Sequence, residues 1–73
     1  MTGEEIKEVL RTRCRIRHRD IERGTVLVYD YAAACRLTVD ASGRLSTSLE
    51  LITTSGAVPC VVVAAAEECE PVR

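Results

Sequence analysis

Val61, Val62 and Val63 stand in the middle of VPCVVVAAA, which is apolar at both odd and even positions. A strand made from it presents apolar side chains on both faces, the pattern of a strand with cover on each side. LSTSLELIT precedes it from Leu45, and Thr54-Ser55-Gly56-Ala57 reads as a tight turn between the two. The segment Leu45–Ala66 therefore predicts a hairpin against which the rest of the chain must pack. No other stretch is apolar on both sides for so long.

Such a chain has little else to build a core from. Its 73 residues make one domain, residues 1–73. A domain of this size buries only about 60% of its unfolded surface. There is no Trp or Phe and there are two Tyr, so Val, Leu, Ile and Ala must fill the interior. Small domains often add disulfides, a metal or a partner subunit. Cys14, Cys35, Cys60 and Cys69 are widely spaced, with no CxxC. The N-terminus, MTGEEIKEVL, has no apolar signal region. The expectation is free thiols in a reducing, cytoplasmic setting. No run approaches the length needed to span a membrane as a helix.

Thr2 followed by Glu5 fits a capping box, and Glu4, Glu5 and Glu8 suit the start of a helix. Ile6, Val9, Leu10, Cys14, Ile16 and Ile21 fall within one arc of roughly 160° on a helical wheel. That predicts one helix over Gly3–Arg23, with Gly24 as its stop. A rival pattern overlaps it: RTRCRIRHR, from Arg11 to Arg19, alternates arginine with other residues, as a strand does. The helix is preferred because arginine is a good helix former and the stripe runs on through the disputed part. Its flaw is that Arg13, Arg17 and Asp20 lie inside the apolar arc.

The remainder reads as strands over Thr25–Tyr31, Cys35–Asp40, Arg44–Thr53 and Val58–Ala65. Ala32-Ala33-Ala34 is a bulge, a link or further strand. Ala41-Ser42-Gly43 reads as a hairpin loop, and Gly43 and Gly56 are expected at positive φ. Glu67–Arg73 reads as a frayed acidic tail. The fold class expected is α+β, an N-terminal helix packed on a three- to four-stranded antiparallel β meander. One helix covers one sheet face, so apolar side chains remain on the other, and a homodimer is the simplest cover for them.

Catalytic signals are weak. His18 has no evident orienting partner beyond Glu22, and no serine sits in a nucleophile pattern. The four glycines lie at element boundaries and form no phosphate loop. Asp30, Asp40 and Glu50 are scattered. Cys14 and His18, four apart on a helix, could begin a zinc site if Cys35 or Cys60 joined them, but nothing in the spacing says that they do. No enzyme activity, cofactor or metal is expected.

Arg11, Arg13, Arg15, Arg17 and Arg19 remain. They put five positive charges and no acid into nine residues of a chain whose net charge is −1. A solvated face is the plain reading, and an anion-facing surface is the functional one. On a helix, Glu4, Glu8 and Glu22 would share a side with Arg11, Arg15 and Arg19, which favours an acidic protein partner over a nucleic-acid phosphate track. No exposed aromatic platform accompanies the arginines.

The order of parts is EEIKEVL in a starting helix, ASGRL in a turn, VVVA closing a strand and EECEP in an acidic tail. It resembles the very short accessory proteins of bacterial phages and other mobile elements. The resemblance spans most of the chain and rests on architecture and composition. It implies a protein that binds and blocks a host protein, host immune machinery included, and carries no residue-level role.

Overall fold

A computed structural model describes residues 1–54, Gly56 and residues 58–72. The chain is α+β: among the described residues, one N-terminal α-helix and six strands in two antiparallel three-stranded sheets. The helix α1 spans Gly3–Thr12. The strands are β1 (Ile16–Asp20), β2 (Thr25–Tyr29), β3 (Tyr31–Val39), β4 (Leu45–Thr53), β5 (Cys60–Ala65) and β6 (Cys69–Pro71). A single 3-10 turn, η1 (Ala66–Glu68), joins β5 to β6. One sheet has the order β2-β1-β6 and the other is the meander β3-β4-β5. No helix among the described residues is long and apolar enough to cross a membrane.

The capping box forms as expected. The Thr2 hydroxyl accepts from the Glu5 amide at 3.2 Å, and the Glu5 carboxylate accepts from the Thr2 amide at 3.1 Å. The helix then stops far short of Arg23. Arg13 turns left-handed at φ 53°, its amide still donating to the Val9 carbonyl at 3.0 Å. Ile16–Asp20 is a strand, so the single helix over Gly3–Arg23 is corrected and the alternating pattern prevails there. The reason lies in the charges. A continued helix would turn Arg17 toward the apolar side. A strand puts Ile16 and His18 on one face and Arg17 and Arg19 on the other. Gly24, at φ 66°, closes the β1–β2 hairpin instead of ending a helix.

The meander follows the sequence closely. Leu49 and Leu51 are buried on one face of β4 and pair with Cys35 and Ala32 of β3 and with Ala64 and Val62 of β5. A bulge interrupts β3 between Ala32 and Ala34. At the β3–β4 loop Gly43 takes φ 82°. The carboxylate of Asp40 gathers that loop, accepting from the amides of Ser42 and Arg44 at 2.9 Å each and from the Ser42 hydroxyl at 2.6 Å. The turn expected at Thr54–Ala57 includes Ser55 and Ala57, which lie outside the described residues; Gly56 between them is at a bend.

The chain crosses between sheets twice, at Asp30 and at η1. Asp30 breaks the expected strand Thr25–Tyr31 in two. Its amide donates to the Ile52 carbonyl at 2.9 Å, and its carboxylate accepts from the Thr54 amide and hydroxyl at 2.6 Å each. At η1 the expected frayed tail is replaced by structure. Cys69–Pro71 pairs antiparallel with β1, and the Val72 amide donates to the Arg15 carbonyl at 2.8 Å.

Every element contributes to one core: Val9, Ile16, Tyr29, Ala32, Leu49, Leu51, Ala64, Ala66 and Cys69. Tyr29 is its one aromatic, and several members are small. Cover is incomplete: Leu27 in the middle of β2, and Leu37, Val39 and Leu45 toward the β3–β4 loop, are exposed. The cover expected on both faces of VVV is found on one face only among the described residues. Val62 faces the core, while Val61 and Val63 are 60% and 56% exposed.

Candidate functional site

The arginine run divides among three settings. Arg11 closes α1 and pairs with Glu8 at 2.6 Å. Arg13, on the left-handed turn, carries its guanidinium 5.0 Å from the centre of the Tyr31 ring, a cation–π distance. Arg15, Arg17 and Arg19 follow one another at every second residue into and along β1. Arg11, Arg13, Arg15 and Arg19 are exposed and Arg17 is half-buried. Arg11, Arg15 and Arg19 thus reach solvent as expected, but on separate elements and not on one helix.

Strand pairing defines what surrounds the last two. Arg17 lies opposite Val28 and Glu70, and Arg19 lies opposite Val26. Residues directly opposite in a ladder share a face. One face of β2-β1-β6 therefore carries Arg17, Arg19, Val26, Val28 and Glu70, and both valines are exposed. Arg17 reaches the Glu70 carboxylate at 2.9 Å. Among the described residues, neither Arg15 nor Arg19 has a carboxylate within 4.0 Å. Arg19 borders a shallow groove of about 190 Å³ whose other lining includes Glu67, Glu68 and Glu70.

These contacts revise where the acids lie. Glu4 and Glu8 belong to α1 and Glu22 to the β1–β2 turn, so they do not interleave with β1. The acids beside β1 come from the tail EECE, laid antiparallel along it by β6. The sequence concealed this because the tail's two anchors, Cys69 and Pro71, are isolated among glutamates.

His18 is half-buried on the opposite face of β1. It lies across from Leu27 and Cys69, with its ring centre 6.5 Å from that of Tyr29. It lies on a strand and not on the helix expected. Cys14 lies in the link before β1, so the i, i+4 spacing with His18 does not exist as a helical geometry. Among the described residues, no group of three or more His, Cys, Asp or Glu side chains is placed to hold a metal. Burial, reinforced by the charge of Glu68, pushes the Cys69 thiol up to about 11, so it stays protonated and unreactive at neutral pH.

Asp30 and Asp40, expected as scattered surface acids, each organise a connection through hydrogen bonds. Hydrogen bonds from Thr54, hydroxyl first and then amide, hold Asp30 below its ordinary value of 3.8. The Ser42 hydroxyl, then the Arg44 amide, does the same for Asp40. Both groups bind protons less readily folded than unfolded. Their stabilisation is therefore full above the ordinary value and lost as pH falls through the lower folded values. Thermal melts should show stability declining below about pH 4. The pair of changes Asp30→Asn and Asp40→Asn should flatten that decline. Identical acid profiles for the two proteins would contradict the assignment.

No protein-family model, curated protein or solved structure matches the chain.

Proposed function

We propose that this protein is a small non-catalytic binding module that holds a protein partner on the Arg17–Arg19–Val26–Val28 face. The observation that carries this reading is the side-by-side placement of an arginine row and an exposed valine row on one sheet face. Such a surface offers apolar area for burial and guanidinium groups for carboxylates at its rim. A partner acidic at the contact would complement Arg15 and Arg19. The resemblance to phage and mobile-element accessory proteins supports a blocking role against a host protein, immune machinery included.

The second reading is nucleic-acid association. Arg15 and Arg19 favour it, since both are exposed with no carboxylate within 4.0 Å among the described residues and phosphates would suit them. Glu67, Glu68 and Glu70 weigh against it, because they border the same groove and interrupt the continuous positive track that a phosphate backbone needs, whereas a protein can place its acids at Arg15 and Arg19 alone. Phosphate binding must weaken steeply as salt rises. A random-sequence duplex titrated with the protein at rising salt separates the readings. The protein-partner reading expects weak association that has vanished at about 0.15 M salt. Tight duplex binding at that salt would reverse the preference.

A further inference from the structure

β5 pairs with β4 alone among the described residues, which leaves its other edge open. Natural edges are usually guarded by charge, proline, a bulge or short length. β5 has none of these over its six residues, CVVVAA, and Pro59 stands just before it. The other edges differ. β6 has three residues, including Glu70 and Pro71. β3 carries Arg36 and a bulge, and α1 packs against it. β2 is apolar but shorter, with five residues, and its valines share their face with Arg17 and Arg19 of the adjacent strand.

Val61 and Val63 lie opposite Ile52 and Glu50 of β4, on the face turned away from Leu49 and Leu51. Glu50 is already neutralised by an ion pair with Arg36. The outer face at this edge is thus apolar, uncharged and uncovered.

We infer that two copies of the chain join antiparallel through β5, about a two-fold axis at Val62, to form one six-stranded sheet. The occupant is a second copy because the strand is symmetric in character about Val62. On that register Val61 faces Val63 of the partner subunit, twice over, and Cys60 faces Ala64 of the partner subunit, also twice. Paired positions have the same parity, so open edge groups meet open edge groups. β-branched pairs across an antiparallel ladder are favourable, and no like charges oppose the approach. Two six-residue edges make a contact below the roughly 1,200 Å² of standard interfaces, so the dimer is reversible. This inference does not depend on the arginine face.

Sedimentation equilibrium, in reductant because Cys35 and Cys60 are exposed, tests it. The wild-type mass should rise from 8.0 kDa toward twice that value as concentration increases. Val61→Lys with Val63→Lys sets like charges against each other in both pairs and should raise the dissociation constant at least about tenfold. Val61→Lys with Val63→Glu sets opposite charges in both pairs on this register and should restore association. Both sites are exposed, and far-UV circular dichroism confirms that each variant is folded. A wild-type protein that stays at 8.0 kDa up to about 0.5 mM would overturn the inference and leave the edge to a different strand. So would a double-lysine variant that dimerises normally, or a lysine–glutamate variant no better than the double lysine.

Discussion

A chain shortened to residues 1–66 is expected to lose its cooperative fold. The removed segment contains β6, the second partner of β1. Ile16 is fully buried, and Pro71 lies directly across from it. Without β6, β1 and β2 are left as a two-stranded hairpin, which holds its place only through Ile16 and Tyr29 in the core and is marginal by itself. Cys69 leaves the core, and Ile16 loses its cover on one side. These losses amount to about 3 kcal/mol or more on transfer terms. A chain of 73 residues has about 4–11 kcal/mol in total. Far-UV circular dichroism should show no sharp thermal transition for the shortened chain. A cooperative melt within a few degrees of the full-length protein would mean that β6 is an ornament. The point variant Ile16→Ala should cost about 2–5 kcal/mol, which places the loss in the same core.

That dependence on the tail was hidden in the sequence for a physical reason. EECEPVR has high charge and a proline, the composition of a solvated end. Its pairing with β1 is a contact across more than fifty residues, set by Cys69 and Pro71 meeting His18 and Ile16. No local periodicity encodes it. The start of α1 and the β3–β4 hairpin, in contrast, are local events. Thr2 with Glu5 specifies the first, and Asp40 with Gly43 specifies the second. The α+β class was legible from these, together with the alternation of Leu45, Leu49 and Leu51. The division into two sheets was not. It turns on Asp30, an acid inside a β-branched and aromatic run, whose partner Thr54 lies across the fold.

The arginine run was legible as chemistry and misleading as geometry. Arg11–Arg19 satisfies a helical stripe and a strand alternation at once. Arginine's helix propensity, a few tenths of a kcal/mol per residue, favoured the first. The strand buries Ile16 while holding Arg17 and Arg19 on the opposite face, and keeping a charge off the apolar side decides for the second. Arg13, Arg17 and Asp20 inside the apolar arc were the signal of this outcome.

Charge also shapes the second large effect. Arg15→Glu with Arg19→Glu changes two exposed side chains that have no carboxylate partner among the described residues. It leaves the Arg17–Glu70 pair in place. Exposed substitutions of this kind usually shift stability by no more than about 0.5 kcal/mol, so the melting curve should barely move. A partner that presents carboxylates would instead meet like charge, at several kcal/mol, and its affinity should fall about a hundredfold. A folding defect in this variant would contradict the exposure assigned to both residues.

The arginine–valine face is proposed to hold a protein. The most direct test is nuclease-treated capture from the native host, with the wild-type protein and the Arg15→Glu, Arg19→Glu variant as parallel baits and mass spectrometry as the readout. The expected result is a protein retained by the wild type after nuclease treatment and lost from the variant. Material that nuclease removes, or a protein retained equally by both baits, would contradict it.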